Sequence, residues 1–389
     1  MENGSRLDVS LLPEELKLLC ALIGLPNDPD LPGRILQSGK GVRWHYFLAL
    51  SGHHRVHPIV YGNLKQYKKE HLVPGHVRKS LEVNYRRNIF HMLRLSRETA
   101  ILSKAFAEKR VGTLFLKGPV LAREIYGDIS LRTSKDLDML VRKQDIKLAE
   151  ETLLQAGYNL EHYPFNDKNS RRHHLSFMHP EKHIQVELHW RLNPDTWSEP
   201  PFEHLWERKR LSCFGNGPVY FLGADDLFCF LAAHGARHGW FRLRWLADVD
   251  QLFRNGMNVE SALRLQHEYG FRHIAGQAAI LAANLFNTPI AAGMTPLLEG
   301  AKSVRLSKRA IHFIKNDKEP AASAGFMFYQ LLIRSNSQKV RYLTSYVYPT
   351  AKDLQMLPLP KSWVFLYIPL RPFLLLWRKI KQFVVSWSC

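Results

Sequence analysis

Three acidic side chains stand where a buried strand would ordinarily carry aliphatic ones. Asp136 and Asp138 alternate with apolar residues in the run DLDMLV (136–141), and Glu187 sits between Val186 and Leu188 in IQVELH (184–189). Alternate residues of a strand share a face. Asp136 and Asp138 therefore project together, opposite Leu137 and Met139, and Glu187 projects opposite Val186 and Leu188. If the two strands are neighbours, three carboxylates meet on one side of a sheet. Two like charges about 4 Å apart repel by roughly 4 kcal/mol at an effective dielectric of 20. Such a trio is tolerable when cations compensate it, and oxygen-only ligands suit Mg²⁺ accompanied by water and phosphates. A D-x-D on a solvated sheet face is the competing reading, and taken alone it is common.

Other chemistry-bearing residues lie close in sequence. Lys117 and Gly118 occupy a turn between a short β-rich run, VGTLFL, and a helical one, PVLAREIY; Arg132 precedes the D-x-D. His189 shares the strand face of Glu187 and could contact substrate or orient the carboxylate. His234 and His238 are spaced i, i+4 and could hold a metal with help from Asp248 or Asp250. No H-E-x-x-H occurs, however, and among 19 histidines chance pairs are expected. A partly buried helical pair, or one lining a nucleotide cleft beside Arg237, fits better. The basic patches HHR (53–55) and RRHH (171–174) read as solvated loops or as phosphate attractors.

The elements that must position these groups follow from periodicity and punctuation. Residues 1–110 read as helices, with Pro58 starting one and Val77–Lys109 forming a long one. Residues 111–193 alternate strand and helix as β-α-β-α-β-β, a small mixed α/β core in an α+β chain. There the helix KQDIKLAEETLLQ ends near Gly157, and the last two strands are joined by the turn PEKH. Residues 194–347 return to helices, led by a segment that Asp225 is placed to cap. The tail, 348–389, mixes Trp363, Phe365, Tyr367, Phe373, Trp377 and Trp387 with Arg371, Arg378, Lys379 and Lys381. Its apolar run is broken by Pro369 and Pro372, too short for a bilayer span of about 20 residues. Two readings remain for it: an aromatic and basic segment lying on an anionic membrane surface, or a strand of core folded back on the helices.

Bulk properties bound the rest. Over 389 residues, 54 Lys and Arg face 35 Asp and Glu, a net charge of +19 that draws nucleotides, nucleic acids or anionic surfaces. No helix-turn-helix or zinc-finger signature marks a sequence-specific DNA reader. The four cysteines are scattered, so neither a disulfide framework nor a thiolate metal site is expected. The start has no signal-peptide pattern. A cytoplasmic protein is the expectation, with peripheral contact at the inner membrane face through 360–389.

The segment FLKGPVLAREIYGDISLRTSKDLDMLV, followed by VELHWRL (186–192), resembles the nucleotidyltransferase core of the polymerase-beta superfamily: a glycine turn, hDhD, then a later h[DE]h. With AGY (156–158), AAHGARHGWFRLRWLADVDQL (232–252) and the outer segments HHRVHPIVYGNL and VRYLTSYVYPTAKDLQMLPLP, the chain looks like the family of uncharacterised nucleotidyltransferases over nearly its whole length. The resemblance implies catalytic, metal-binding roles for Asp136, Asp138 and Glu187, around two Mg²⁺ ions, with Mn²⁺ an alternative. It implies that Gly118 lets the turn approach nucleotide phosphates. Lys117 and Arg132, beside the motif, could neutralise phosphate charge, and His189 could assist. The superfamily's usual Gly-Ser is Gly118-Pro119 here, and Pro119 has no N–H to offer a phosphate. The expected activity is transfer of a nucleoside monophosphate from an NTP to an acceptor: a sugar, metabolite, protein side chain or RNA end. The rivals are a silent nucleotide-binding protein of the same fold and a membrane-peripheral interaction protein.

Overall fold

The structure is a computed structural model that describes residues 6–38, 41–161, 173–194, 197–212, 214, 217–316, 320, 323–345, 353, 356–374 and 377. Its centre is a seven-stranded mixed sheet: β1 (Thr113–Phe115), β2 (Asp136–Val141), β3 (Asn159–Leu160), β4 (His174–His179), β5 (Ile184–His189), β6 (Arg210–Ser212) and β7 (Val219–Phe221). The strand order is β3-β4-β5-β2-β1-β7-β6. β2 runs parallel to β5 and antiparallel to β1, while β4 and β5 form an antiparallel hairpin.

The strand, helix, strand, helix, hairpin order expected from the sequence is present, and the sheet is larger than that. Tyr158 ends the Ile146–Gln155 helix after Gly157 (φ +87°), and the two-residue β3 then adds an edge to β4. β6 and β7 extend the other side from beyond residue 193, where only helices were expected. Strands of three residues are too short for a period-2 pattern to register.

The two faces of the sheet differ. On one, Leu137, Met139, Val186 and Leu188 pack against Met92, Leu95, Leu102 and Phe106 of the 34-residue helix Gly75–Glu108 and against Ala149 and Leu153. On the other, the carboxylates face the helices Ala224–Arg237 and Leu243–Arg254. Asp225 does not cap the first of these. Gly223 holds the N-cap position, and Asp225 and Asp226 lie in the first turn, where negative charge complements the exposed N–H groups.

The helices before and after the sheet share one core. Leu16, Leu19, Leu22 and Ile23 of the Glu14–Ile23 helix join Ile274, Ala278, Leu281 and Leu285 of the Arg272–Phe286 helix in a single apolar cluster. Leu7 N–H donates to Asn284 Oδ1 (2.9 Å), and the Asn27 amide donates to Phe286 O (2.8 Å) and Asp250 Oδ1 (3.1 Å). No helix among the described residues is long and apolar enough to cross a membrane. In the tail, Tyr367 and Leu374 are buried and Arg371 pairs with buried Asp353 at 3.0 Å, whereas Trp363, Phe365, Phe373 and Trp377 are exposed. Arg378, Lys379, Lys381 and Trp387 lie outside the described residues.

Candidate active site

Parallel pairing of β2 with β5 sets Asp138 directly opposite Glu187 and Asp136 opposite Gln185. The two-residue period then puts Asp136, Asp138, Glu187 and His189 on one face. β4 continues that face, with Ser176 opposite Glu187 and His174 opposite His189. The approach to β2 is clamped from three sides. Asn88 donates to Ser130 O (2.8 Å), Tyr85 Oη lies 2.6 Å from Ser130 Oγ, and Arg244 donates to Thr133 O (2.7 Å). Gly118 has φ +71°, a left-handed backbone that favours glycine, and it turns the chain from β1 into the Gly118–Tyr126 helix.

The carboxylates are electrostatically unlike. Asp138 is 2 % exposed. Burial alone would raise its pKa, but Lys117 Nζ at 3.0 Å and His189 Nε2 at 3.3 Å hold it below the usual carboxylate range. Asp136 moves the other way, to about 6, because it is buried and sits beside the charge of Asp138. Burial would also raise Glu187, yet His189, whose Nε2 is 3.3 Å from Glu187 Oε2, lowers it. For His189, burial disfavours the proton and the two carboxylates outweigh it, raising its pKa.

The acids open on a cleft of about 480 Å³. Its far wall is basic and aromatic: Arg55, Arg237, Arg242, Arg244, His234, His238 and Trp245. The His238 ring stacks on Trp245 with centroids 4.9 Å apart, and Arg237 lies 3.2 Å from His234 Nδ1. Burial lowers Arg237 to about 10 and Arg244 to about 9, so both remain cationic at neutral pH. Burial also keeps His234 and His238 neutral.

The structure brings Lys117, Asp136, Asp138, Glu187 and His189 together. Arg132 has another job. Although it borders the cleft, its guanidinium grips Asp248 through Nε–Oδ1 (2.8 Å) and a second bond to Oδ2 (2.9 Å), both groups fully buried. That pair also rules Asp248 out as a ligand beside His234 and His238. Asp250 is likewise engaged, by Arg254 (3.0 Å) and Thr288 (2.6 Å), so the histidine pair has no carboxylate partner there and lines the cleft instead. Arg55, His173 and His174, from the patches read as solvated loops or as phosphate attractors, line the cleft. Arg242, Arg244 and Trp245 join them without a motif to announce them. Their signal lay in WFRLRW, where two arginines and a tryptophan interrupt an otherwise apolar helix start.

The donor set fits a divalent cation. Asp138 Oδ2 is buried without a hydrogen-bond partner, and ligand atoms of Asp138, Glu187 and His189 lie within 4.8 Å of one another. An unpartnered buried carboxylate oxygen is costly unless something positive reaches it.

Two comparisons with known proteins bear on this site. A family model described as "uncharacterised nucleotidyltransferase" matches residues 40–287, which include every side chain of the cleft. No curated protein matches the chain significantly.

Proposed function

Because the chain belongs to the family of uncharacterised nucleotidyltransferases, we propose that it is a Mg²⁺-dependent enzyme moving a nucleoside monophosphate from an NTP to an acceptor oxygen. The acceptor oxygen bonds to the α-phosphorus, the bond to the β-phosphate oxygen breaks, and pyrophosphate and the acceptor's proton leave. The observation that carries this reading is the apposition of Asp138 and Glu187 in register on parallel strands, across a cleft from cationic Arg237 and Arg244.

Asp136, Asp138 and Glu187 would hold the cations, which supply charge neutralisation at the attacking and leaving oxygens. The remaining work is positioning, as phosphoryl chemistry requires. Lys117, 3.0 Å from Asp138, would pass to a phosphate oxygen, taking the role that Pro119, lacking an N–H, leaves open. Arg237, Arg244 and Arg55 form the anionic-ligand wall, and the stacked His238–Trp245 pair offers a flat surface for a base. Acceptors in keeping with the cleft are a sugar, a metabolite, a protein side chain or an RNA end. The exposed Trp363, Phe365, Phe373 and Trp377 support a further part of the proposal, contact of the tail with an anionic membrane surface, which would favour a membrane-proximal acceptor.

Incubation with each labelled NTP, Mg²⁺ and a cell extract tests the reaction through pyrophosphate release and label transfer. Transfer is expected from the wild type and not from the Asp136→Asn/Asp138→Asn variant. Equal transfer by that variant would sink the assignment. Flotation with anionic vesicles, with and without residues 360–389, tests the tail.

A further inference from the structure

We propose that His173, His174 and His189 form a binding site for a divalent transition-metal ion of the zinc or cobalt type, beside the carboxylates. β4 and β5 are antiparallel, and their register sets His174 directly against His189, so both imidazoles stand on the cleft face. His173 is fixed at the strand's start, its carbonyl accepting from Trp190 N–H at 3.0 Å. The three rings are mutual neighbours, with centroids 4.6 Å (His173–His174), 5.0 Å (His174–His189) and 5.4 Å (His173–His189) apart. One ring nitrogen from each falls within 4.8 Å of the others.

Two further observations point to a ligand. Buried His189 has no hydrogen-bond partner at Nδ1, its Nε2 facing Asp138 and Glu187, and His174 has none at Nδ1. Imidazoles packed for structure alone ordinarily donate one N–H to a carbonyl or carboxylate. His189 also belongs to the acidic group, its Nε2 lying 3.3 Å from both Asp138 Oδ1 and Glu187 Oε2, so the histidine cluster adjoins the carboxylates. Three imidazoles, with the His189 ring giving up the proton that its carboxylate neighbours favour, select zinc-class ions over Mg²⁺, which prefers oxygen, and they leave a fourth position open. Metal–nitrogen bonds of about 2.0–2.1 Å require the rings to draw together by small side-chain rotations. The site therefore differs in chemistry from the Mg²⁺ site of the proposed transferase and stands on the imidazoles whether or not nucleotide is transferred.

The test is Co²⁺ titration of untagged, chelator-treated full-length protein, followed by visible absorption, with Zn²⁺ competition and metal analysis after gel filtration. The wild type is expected to show Co²⁺ ligand-field bands, abolished by stoichiometric Zn²⁺ and unchanged by millimolar Mg²⁺. His174→Ala and His173→Ala should each weaken Co²⁺ binding by about tenfold or more. His183→Ala, in the exposed turn between the strands, should not. His174→Gln, which keeps side-chain volume, guards against a folding defect, and circular dichroism of every variant must match the wild type. Absent bands, or an unchanged affinity in the folded His173→Ala/His174→Ala protein, overturns the proposal. Mg²⁺-dependent NTP binding, measured in parallel, separates this failure from failure of the transferase reading. Retained NTP binding without Co²⁺ bands sinks the imidazole site alone, and Co²⁺ bands without NTP binding leave it standing.

Discussion

Asp136 and Asp138 lie two residues apart on one strand face, yet their surroundings drive them in opposite directions. Lys117 and His189 flank Asp138, whereas Asp136 meets mainly burial and the charge of its neighbour. The Asp136 carboxyl, raised from its ordinary value of 3.8 to about 6, is therefore ionised in the folded metal-free protein at a cost. A group whose folded pKa lies above its unfolded one is most favourable below the unfolded value and loses that contribution as pH rises through the folded value. Asp136→Asn, which mimics the protonated form, should thus stabilise the metal-free protein above pH 6, by on the order of 2 kcal/mol. The gain should shrink as pH falls from about 6 to about 4. Thermal melting across that range in chelator checks it, and a constant difference at all pH values would refute it. Mg²⁺ should reverse the order at pH 8, raising the melting temperature of the wild type more than that of the variant. On the opposite wall, Arg237→Ala should weaken NTP binding by about 10- to 100-fold, a loss of roughly 1.4–2.8 kcal/mol, measured by calorimetry with Mg²⁺ present. Arg237→Lys should recover part of it, since charge survives but the planar fork does not.

β2 and β5 were legible because acids replace aliphatics on one face while the other face stays apolar, and the same alternation gave the side of the sheet on which they point. The basic wall was not legible as a wall. Most of its residues come from the adjoining ends of Ala224–Arg237 and Leu243–Arg254 and the turn between them, with Arg55 added from the N-terminal helical region, and a helix's sequence does not say which distant strand it will face. Arg132 shows a complementary limit. An arginine near a D-x-D reads as a candidate phosphate ligand, and the sequence does not reveal that Asp248, 116 residues later, holds both its Nε and Nη2. That bond joins the approach to β2 to the Leu243–Arg254 helix, and Tyr126 donates to the same Asp248 Oδ1 at 2.9 Å. Asp248→Asn should leave Arg132 buried without a counter-charge and destabilise the protein by about 3–5 kcal/mol. Arg132→Met, which keeps volume without charge, strands Asp248 instead and should also destabilise, while Arg132→Met/Asp248→Leu should recover much of the loss. Urea unfolding of the wild type, Arg132→Met, Asp248→Leu and the double variant forms the cycle, and strictly additive single effects would show that the two groups do not act as a pair.

At the scale of the molecule, the α+β character and the helical flanks follow from the sequence, but the union of those flanks does not. Apolar periodicity reports that the Glu14–Ile23 and Arg272–Phe286 helices each have a buried face, and it is silent on their being buried against each other. The contact is close enough to be tested at one atom. A Cβ on Gly24 would lie 2.5 Å from Phe286 O, a backbone oxygen already accepting from Asn27, so neither side can give way cheaply. Gly24→Ala should therefore part the two helices and destabilise by about 1–3 kcal/mol. Gly33, inside the Leu31–Gln37 helix, has nothing within 4 Å of its Cβ position, and Gly33→Ala should be neutral or stabilise by up to about 1 kcal/mol. Because Asp250 links Asn27 and Thr288 on the helix that also carries Arg244 and Trp245, loosening the first helix should reach the cleft. Gly24→Ala is then expected to lower the midpoints of near-ultraviolet dichroism and of Mg²⁺-dependent NTP binding together, in one transition. Nucleotide binding that outlasts the loss of aromatic dichroism by several degrees would mean that the two helical flanks and the sheet unfold as separate units.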